Sequence, residues 1–245
     1  MQLLTINNIK KTYSSKRMVS TVALRGGSFF LREKEMVAIM GSSGSGKTTL
    51  INILTGLLEP DDGEIIIEGK DLLKMPKDEI SLLRRKHIGI VFQNYNLLDS
   101  LTVRENIEVP LVLDHFDGDK EEKVQKVATL MGIEKQLDCY PYEISGGQQQ
   151  RVGICRAIIN NARVIFADEP TGNLDSKSSK KVMEYFQMVC KDVGTSLLMV
   201  THDPVTASYC DRVLFIKDGK IEKQIKKEEN KNWYEEIIEM QRGIL

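Results

Sequence analysis

Closely spaced cysteines are missing from this sequence. Its four cysteines lie far apart in a chain of 245 residues and form no CxxC pair; they are Cys139, Cys155, Cys190 and Cys210. This spacing argues against a zinc site and against a disulfide framework. It favours reduced thiols in the cytosol, where an isolated cysteine is most often a small buried apolar residue.

An excess of charge and a long apolar segment are missing too. The formal net charge is −1, so the chain as a whole attracts neither nucleic acid nor anionic lipid. No apolar run of about 18 residues occurs, and the first residues lack the charged and apolar regions of a signal peptide. We therefore expect a cytoplasmic chain that neither spans a membrane nor binds nucleic acid.

The hydrophobic content of 41% is enough for one α/β domain, with or without a subdomain. Continuous apolar runs at residues 36–40, 88–92, 164–167 and 196–200 predict buried strands of a largely parallel sheet. Residues 3–9 and 29–31 predict short strands of an antiparallel opening, and residues 213–225 predict a closing hairpin. Residues 94–160 change to a helical pattern, which predicts an inserted helical subdomain.

A glycine-rich stretch at residues 41–48 is the strongest motif, because it matches GxxxxGK[ST] in full. An apolar run precedes it and a helical pattern follows it, so an ordinary glycine-rich turn is the weaker interpretation. The backbone N–H groups of such a loop and the dipole of the next helix bind polyphosphate. Lys47 is expected to reach the β- and γ-phosphates, and the Thr48 hydroxyl to ligate Mg²⁺. The candidate nucleotide-binding residues here are Gly41, Ser42, Ser43, Gly44, Ser45, Gly46, Lys47, Thr48 and Thr49.

Polar side chains follow three of the predicted buried strands. In a parallel sheet these carboxyl ends meet at the edge where ligands bind. Gln93 is a candidate to touch metal or attacking water. Asp168 suits Mg²⁺ together with Thr48, and Glu169 is then free to accept a proton from water that attacks the γ-phosphate. His202 arrives at the same edge, where a functional role is favoured over a structural one.

Two further features leave alternatives open. A second glycine pair, Gly146 and Gly147, opens a helix and offers another possible anion site, although such a pair is most often a plain helix start. Tyr13 is either a core aromatic or a platform on which an adenine ring stacks. The last residues repeat apolar side chains at helical spacing, which favours a tail docked on the chain's own body.

Taken together, these motifs resemble those of the ATP-binding-cassette ATPases over residues 3 to about 225. Residues 41–48 resemble Walker A and residues 164–168 Walker B, with Glu169 as the catalytic carboxylate. Ile144 departs from the commoner leucine of the family signature, but it is similar in volume. The resemblance implies further site residues: the Q-loop Gln93, the signature Ser145, Gly146, Gly147 and Gln148, the D-loop Asp175, the switch His202 and the adenine-stacking Tyr13.

The resemblance also implies the fold and domain organisation. The expected fold is an α/β P-loop NTPase with a mostly parallel central sheet, an antiparallel β subdomain and an inserted helical subdomain. The ATPase domain is expected at residues 1–225, with the helical subdomain at about 94–160. A charged stretch and a helical tail are expected at residues 226–245.

Within the family, the chain is similar to ATPases that export macrolides, release lipoproteins or resist bacitracin and antimicrobial peptides. This implies ATP and Mg²⁺ as cofactors, a membrane-spanning permease and often a sensor kinase nearby. It also implies a head-to-tail homodimer on the inner face of the cell membrane, each ATP lying between Lys47 of one chain and Ser145 of the other. One alternative is an ATPase that regulates a membrane partner without transport. A cassette acting on nucleic acid or the ribosome is disfavoured, because the chain has one cassette, no heptads and no basic patch.

Overall fold

The computed structural model describes residues 1–15, 18–229 and 232–244. Parts of two predicted segments lie outside the described residues: Lys16 and Arg17 of the polar stretch after Tyr13, and Asn230, Lys231 and Leu245 of the C-terminal tail.

The chain alternates strands and helices after an opening pair of strands. The strands are β1 (Gln2–Ser15), β2 (Met18–Arg32), β3 (Met36–Met40), β4 (Asp62–Ile67), β5 (Lys70–Asp71), β6 (Ile88–Val91), β7 (Val164–Asp168), β8 (Ser196–Thr201), β9 (Arg212–Lys217) and β10 (Lys220–Lys226). The helices are α1 (Lys47–Leu54), α2 (Lys77–His87), α3 (Val103–Leu113), α4 (Lys120–Met131), α5 (Gly146–Ile158), α6 (Ser176–Met188), α7 (Pro204–Ala207) and α8 (Trp233–Ile244). Single 3₁₀ turns lie at Leu72–Lys74, Glu134–Gln136 and Pro141–Glu143, and a π-helical turn at Val189–Val193 extends α6.

The central sheet has the strand order β10-β9-β3-β8-β7-β6. Its neighbours pair in parallel except for the β9–β10 hairpin, which is antiparallel. Every residue of β3 and β8 is buried, because helices or the second sheet cover both faces. The continuous apolar runs in the sequence are explained by this double burial, and the mostly parallel sheet agrees with the prediction.

Successive residues of β3 serve two different cores. Met36, Ala38 and Met40 face the helices that include α3, α4 and α5, whereas Val37 and Ile39 face α1 and the second sheet. This alternation is the period of two that a pleated strand imposes. The central sheet therefore separates a helical layer from an antiparallel β layer.

The second sheet has the order β2-β1-β4-β5 and is antiparallel. Its first two strands are much longer than the predicted 3–9 and 29–31, so those short boundaries are wrong. The extra residues are polar and pair with several register shifts. Lys10 and Lys11 form ion pairs with Asp62 and Asp61, both at 2.8 Å. This end of the sheet lies open to solvent, so its sequence shows no strand-like alternation.

The helical segment contains α3, α4 and α5. Val124, Ala128 and Met131 of α4 are fully buried and Val127 is partly buried, which confirms the predicted core-facing stripe. Asp119 caps the start of α4, and Gly132 ends it in a left-handed conformation.

The helix α8 docks on the chain's own body, as predicted. Trp233 is 6% exposed and donates its indole N–H to the carbonyl of Cys210 at 3.1 Å, and Ile237 is fully buried. The four cysteines carry free thiols, three of them buried and Cys139 half-buried. Among the described residues, no helix is long and apolar enough to cross a membrane.

Candidate functional site

A cavity of about 690 Å³ opens at the carboxyl edge of the central sheet. The loop between β3 and α1 forms most of its wall. Glu169 follows β7 and His202 follows β8, and both line the same cavity. The structure thus brings together the phosphate loop, Glu169 and His202, which the sequence predicted separately. The lining residues are Gly41, Ser42, Ser43, Gly44, Gly46, Lys47, Thr48, Thr49, Glu169, His202 and Gln241.

Two glycines fix the path of the loop. Gly46 has φ +101°, and a Cβ there would lie 2.4 Å from the carbonyl oxygen of Ala23. A Cβ on Gly41 would lie 2.4 Å from the carbonyl oxygen of Ile216. Any other residue would push the loop away from β2 or β9, so the glycines at these positions are required by close approach.

Ser45 is anchored by its backbone but not by its side chain. Its carbonyl accepts from the N–H of Gly219 at 3.1 Å, and its own N–H donates to Ser42. The buried hydroxyl has no hydrogen-bond partner among the described residues. A buried polar atom without a partner is costly. The described residues that line the cavity do not include Ser45, so its role is to hold the loop in place.

Lys47 is 7% exposed, which is rare for a lysine. Its ammonium donates to the carbonyl oxygens of Gly41 at 2.8 Å and Ser42 at 2.9 Å. Burial lowers the pKa of Lys47, and the charges of Glu169 and Asp168 act against that shift. The loop therefore holds a desolvated cation beside its backbone N–H groups, as an anion site needs.

Asp168 is a partly buried carboxylate whose surroundings disfavour its charged form. Burial raises its pKa, and the neighbouring Glu169 raises it further. A hydrogen bond from Thr48 and the charge of Lys47 act in the opposite direction but do not prevail. A bound cation would stabilise the charged form.

Glu169 and His202 form a direct pair. Nδ1 of His202 lies 2.9 Å from Oε2 of Glu169. Glu169 has φ +45°, a strained conformation for this residue type, and its N–H donates to the carbonyl of Val200 at 3.0 Å. In this backbone conformation the Glu169 side chain lines the cavity, where it lies beside the largely exposed imidazole of His202.

Gln93 is held away from the cavity wall by its neighbours. Its side-chain amide donates to Asn173 at 3.3 Å, and Asn173 donates back to the carbonyl of Gln93 and to Asn94. The predicted Q-loop and D-loop segments are therefore joined to each other. The contact of Gln93 with a metal or with attacking water stays a prediction.

The second glycine pair begins a helix outside the cavity. Ser145 starts α5 and forms a capping box with Gln148, whose side chain accepts from the Ser145 N–H at 2.8 Å. Asp175 caps α6, and hydrogen bonds chiefly from Ser178 lower its pKa. Among the described residues, those lining the cavity include neither Asp175 nor any of the signature residues Ser145, Gly146, Gly147 and Gln148.

Tyr13 lies on the surface beside the phosphate loop. Its ring is 46% exposed, so the alternative of a core aromatic is wrong. Its hydroxyl lies 3.4 Å from that of Thr49, a residue of the cavity wall. The exposed ring remains available for stacking.

Gln241 lines the cavity, although sequence reasoning did not select it. It lies in the last turn of α8, about 70 residues beyond the nearest carboxylate of the site. The helical spacing of the tail was visible in the sequence. Its approach to the phosphate loop was not, because that approach depends on tertiary packing.

Comparisons with known proteins agree with the nucleotide site that the geometry indicates. Residues 24–172 match the family model described as ABC transporter. The ABC transporter ATP-binding protein YxdL of Bacillus subtilis is 48% identical over 240 residues, 97% of this chain and 93% of that protein. The bacitracin export ATP-binding protein BceA of Halalkalibacterium halodurans is 45% identical over 248 residues, covering 100% and 97%.

A solved structure extends the comparison to three dimensions. The ATP-binding cassette MJ0796, a dimer in a post-hydrolysis state bound to ADP and Pi, superposes with a TM-score of 0.83. The two chains are 36% identical, and the match covers 91% of this chain and 98% of that one. The predicted fold class is thereby confirmed.

Proposed function

Because the chain belongs to the ABC transporter family, it is an ATP-binding ATPase, and we propose that it powers a separate membrane-spanning permease. The observation that carries this proposal is one cavity in which Lys47, Glu169 and His202 meet at the phosphate loop. Lys47 supplies a cation that can bind phosphates. Glu169 supplies a carboxylate that can accept a proton, and His202 places an imidazole beside it.

The residues divide the work of hydrolysis. Lys47 and the backbone N–H groups of the loop bind the β- and γ-phosphates. Glu169 accepts the proton of the attacking water. His202 pairs through Nδ1 with Glu169, which orients that carboxylate and leaves Nε2 for the terminal phosphate. Tyr13 stacks on the adenine ring.

Thr48 and Asp168 are the residues that would hold Mg²⁺, with Gln93 as a further ligand when its loop moves. The donor set fits, since Mg²⁺ prefers one or two oxygen ligands from protein together with phosphates and water. The raised pKa of Asp168 fits as well, because a cation removes the cost of its buried charge. Bound Mg²⁺ neutralises charge on the phosphates.

The working unit in this proposal is a head-to-tail homodimer. In one chain, Ser145 and its glycine pair cap α5 outside the cavity that Lys47 lines. A second chain can bring its own α5 N-terminus to the open side of that cavity. Each ATP is then held by Lys47 of one chain and by the signature residues of the other, with Asp175 at the contact between them.

A groove on the helical side fits a permease segment. It has a volume of about 350 Å³, and its lining includes Phe92, Asn96, Pro110, Leu113 and Arg156. Leu113 is 56% exposed, so its apolar side chain can pack against a partner that enters the groove. Docking here attaches the chain to the inner face of the cell membrane through the permease.

The class of substrate follows from the relatives. BceA is named for bacitracin export and is similar to this chain over nearly all of its length, so we infer resistance to peptide antibiotics. This favours transport over regulation of a membrane partner without transport. A sensor kinase contacted through the permease stays a prediction.

One substitution tests both the chemistry and the role. Glu169→Gln removes the proton acceptor but keeps the shape of the side chain, so ATP still binds while turnover falls by roughly two to four orders of magnitude. The variant should accumulate as an ATP-bound dimer in size-exclusion chromatography. Cells carrying only this variant should become sensitive to peptide antibiotics of the bacitracin kind.

Glu222→Gln, the same change on an exposed residue of β10, is the matched control and should behave as wild type. Near-normal hydrolysis by purified Glu169→Gln would remove Glu169 from the mechanism. Unchanged antibiotic resistance in cells with a dead ATPase would refute the proposed role while leaving the ATPase assignment intact.

A further inference from the structure

We propose that Gln241 binds the terminal phosphate of the nucleotide, so that the C-terminal helix is part of the ATP site. The inference rests on the assignment of the cavity above to ATP. Gln241 lines that cavity together with Lys47, Glu169 and His202. Three sets of contacts, two made by α8 and one made by the hairpin on which it packs, explain the position of this side chain.

The first contact fixes the start of α8. Trp233 is buried and donates its indole N–H to the carbonyl of Cys210 at 3.1 Å, and Ile237 is buried one turn later. The helix packs on α7, whose capping residue Asp203 directly follows His202. The helix therefore reaches the cavity from the side that His202 forms.

The second contact fixes the end of α8. The ammonium of Lys217 donates to the carbonyl of Ile244 at 2.5 Å, and Ile244 is buried. Gln241 lies one turn before this anchor. Because α8 is anchored at both ends, the fold fixes the position of Gln241.

The third contact links that anchor to the phosphate loop. Lys217 is the last residue of β9, and its neighbour Ile216 is the residue against which Gly41 packs. Two residues further on, the N–H of Gly219 donates to Ser45 at 3.1 Å. The same hairpin thus supports the phosphate loop and the last turn of α8, which holds Gln241 in register with the loop.

The chemistry of the side chain suits this place. A carboxamide offers two N–H donors without adding charge, so it can bind a phosphate oxygen beside Lys47. Glu169 and His202 mark the γ-phosphate side of the cavity, and α8 enters from that side. Gln241 should therefore distinguish ATP from ADP.

Equilibrium binding to the full chain in excess Mg²⁺ tests this, with a non-hydrolysable ATP analogue and ADP as probes. For Gln241→Ala the dissociation constant of the ATP analogue should rise by about ten- to a hundredfold, the range for losing one hydrogen bond to a charged group. The constant for ADP should change less than about twofold. Gln241→Glu should weaken the ATP analogue further, because its carboxylate faces phosphate charge.

Two controls match these changes. Arg242→Ala truncates the exposed neighbour on the same helix, and Gln125→Glu makes the same chemical change on the exposed face of α4. Both should bind the two nucleotides as wild type does. Melting temperatures close to wild type for each variant will establish that α8 still docks, and if Gln241→Glu unfolds, Gln241→Ala decides alone.

Three results would overturn the inference. Unchanged affinity for the ATP analogue in both variants would show that Gln241 does not touch the nucleotide. Equal losses for ATP analogue and ADP would show that it does not bind the terminal phosphate. Unchanged binding with weaker ATP-driven dimerisation would assign Gln241 to the contact between chains. Failure of the wild-type chain to bind either probe would instead refute the assignment of the cavity to ATP.

Discussion

At the scale of a single residue, the buried charge of Asp168 lowers the folding stability of the nucleotide-free chain, whereas a bound cation would stabilise that charge. Its buried carboxylate has a raised pKa, mainly because of desolvation. Between the ordinary value of 3.8 and the folded-state value, the folded chain binds more protons than the unfolded chain does. The contribution of Asp168 to stability therefore falls as pH rises through that window. At neutral pH the nucleotide-free protein holds a charge that destabilises it.

Asp168→Asn should consequently stabilise the nucleotide-free chain at neutral pH. We expect a gain on the order of 1 kcal/mol, or a rise of about 3 °C in melting temperature, since the amide keeps the shape and removes the charge. The same variant should lose the extra stability that Mg²⁺ with ATP gives to wild type. Thermal unfolding with and without Mg·ATP measures both effects.

Asp175→Asn is the control with the opposite sign. Hydrogen bonds from Ser178 and the backbone lower the pKa of Asp175, so its charged form stabilises the start of α6. Its contribution is present at neutral pH and is lost as pH falls through the lowered pKa. That substitution should lower the melting temperature. A fall for Asp168→Asn as well would mean that its charge is not the cost that we infer.

At the scale of elements, local patterns predicted the parts whose structure is local. The phosphate loop followed from its glycines and lysine, and α4 from its stripe of Val124, Ala128 and Met131. Boundaries failed where tertiary pairing overrides local pattern, as in the polar ends of β1 and β2. Gln241 was missed for the same reason, because no sequence pattern shows that α8 packs on β9.

The sequence also did not predict which non-glycine residues adopt a left-handed backbone conformation. Tyr95 and Asn96 have φ +61° and +48°, and Arg156 donates to both of their carbonyl oxygens at 2.9 and 2.6 Å. A Cβ on Gly146 would lie 2.6 Å from the Tyr95 hydroxyl. The segment after β6 is thus fixed between the groove that Phe92 and Leu113 line and the start of α5.

Docking of the permease in that groove gives a prediction at the scale of elements. Leu113→Glu places a charge on the exposed apolar rim, so the fraction of the chain that sediments with permease-containing membranes should fall at least about fivefold. Hydrolysis by the isolated chain should stay within about twofold of wild type, because Leu113 does not line the ATP cavity. Membrane fractionation and a phosphate-release assay measure the two quantities.

Leu57→Glu makes the same change at a leucine of similar exposure, in the turn after α1. It should leave membrane association unchanged. The opposite pattern, loss with Leu57→Glu and none with Leu113→Glu, would move the docking surface to the groove that Leu57 lines. Sedimentation of the wild-type chain with protein-free anionic vesicles at physiological salt would argue against recruitment by a permease.

At the scale of the whole molecule, the two proposed half-sites of one chain do not meet. Lys47 lines the cavity, whereas Ser145 caps a helix outside it. Sequence motifs predicted both halves but gave no distance between them. The separation within a chain is what makes the dimer necessary for the proposed mechanism, and the solved relative bound to ADP and Pi is itself a dimer.

Mixing two inactive variants tests that composite site most directly. Lys47→Ala removes the cation for the phosphates, and Ser145→Arg adds bulk at the helix start that must approach them, so each homodimer should be inactive. Ser100→Arg, the same change at another exposed serine, should remain active.

In a mixed dimer both defects fall in one site, and the other site carries wild-type Lys47 and Ser145. With random pairing about half of the dimers are mixed, so independent sites would recover at most about a quarter of wild-type turnover. The measurement is the rate of phosphate release by each variant alone and by their equimolar mixture. The account predicts inactive single variants and recovered hydrolysis on mixing, whereas substantial hydrolysis by Ser145→Arg alone would show that each chain works by itself and would contradict it.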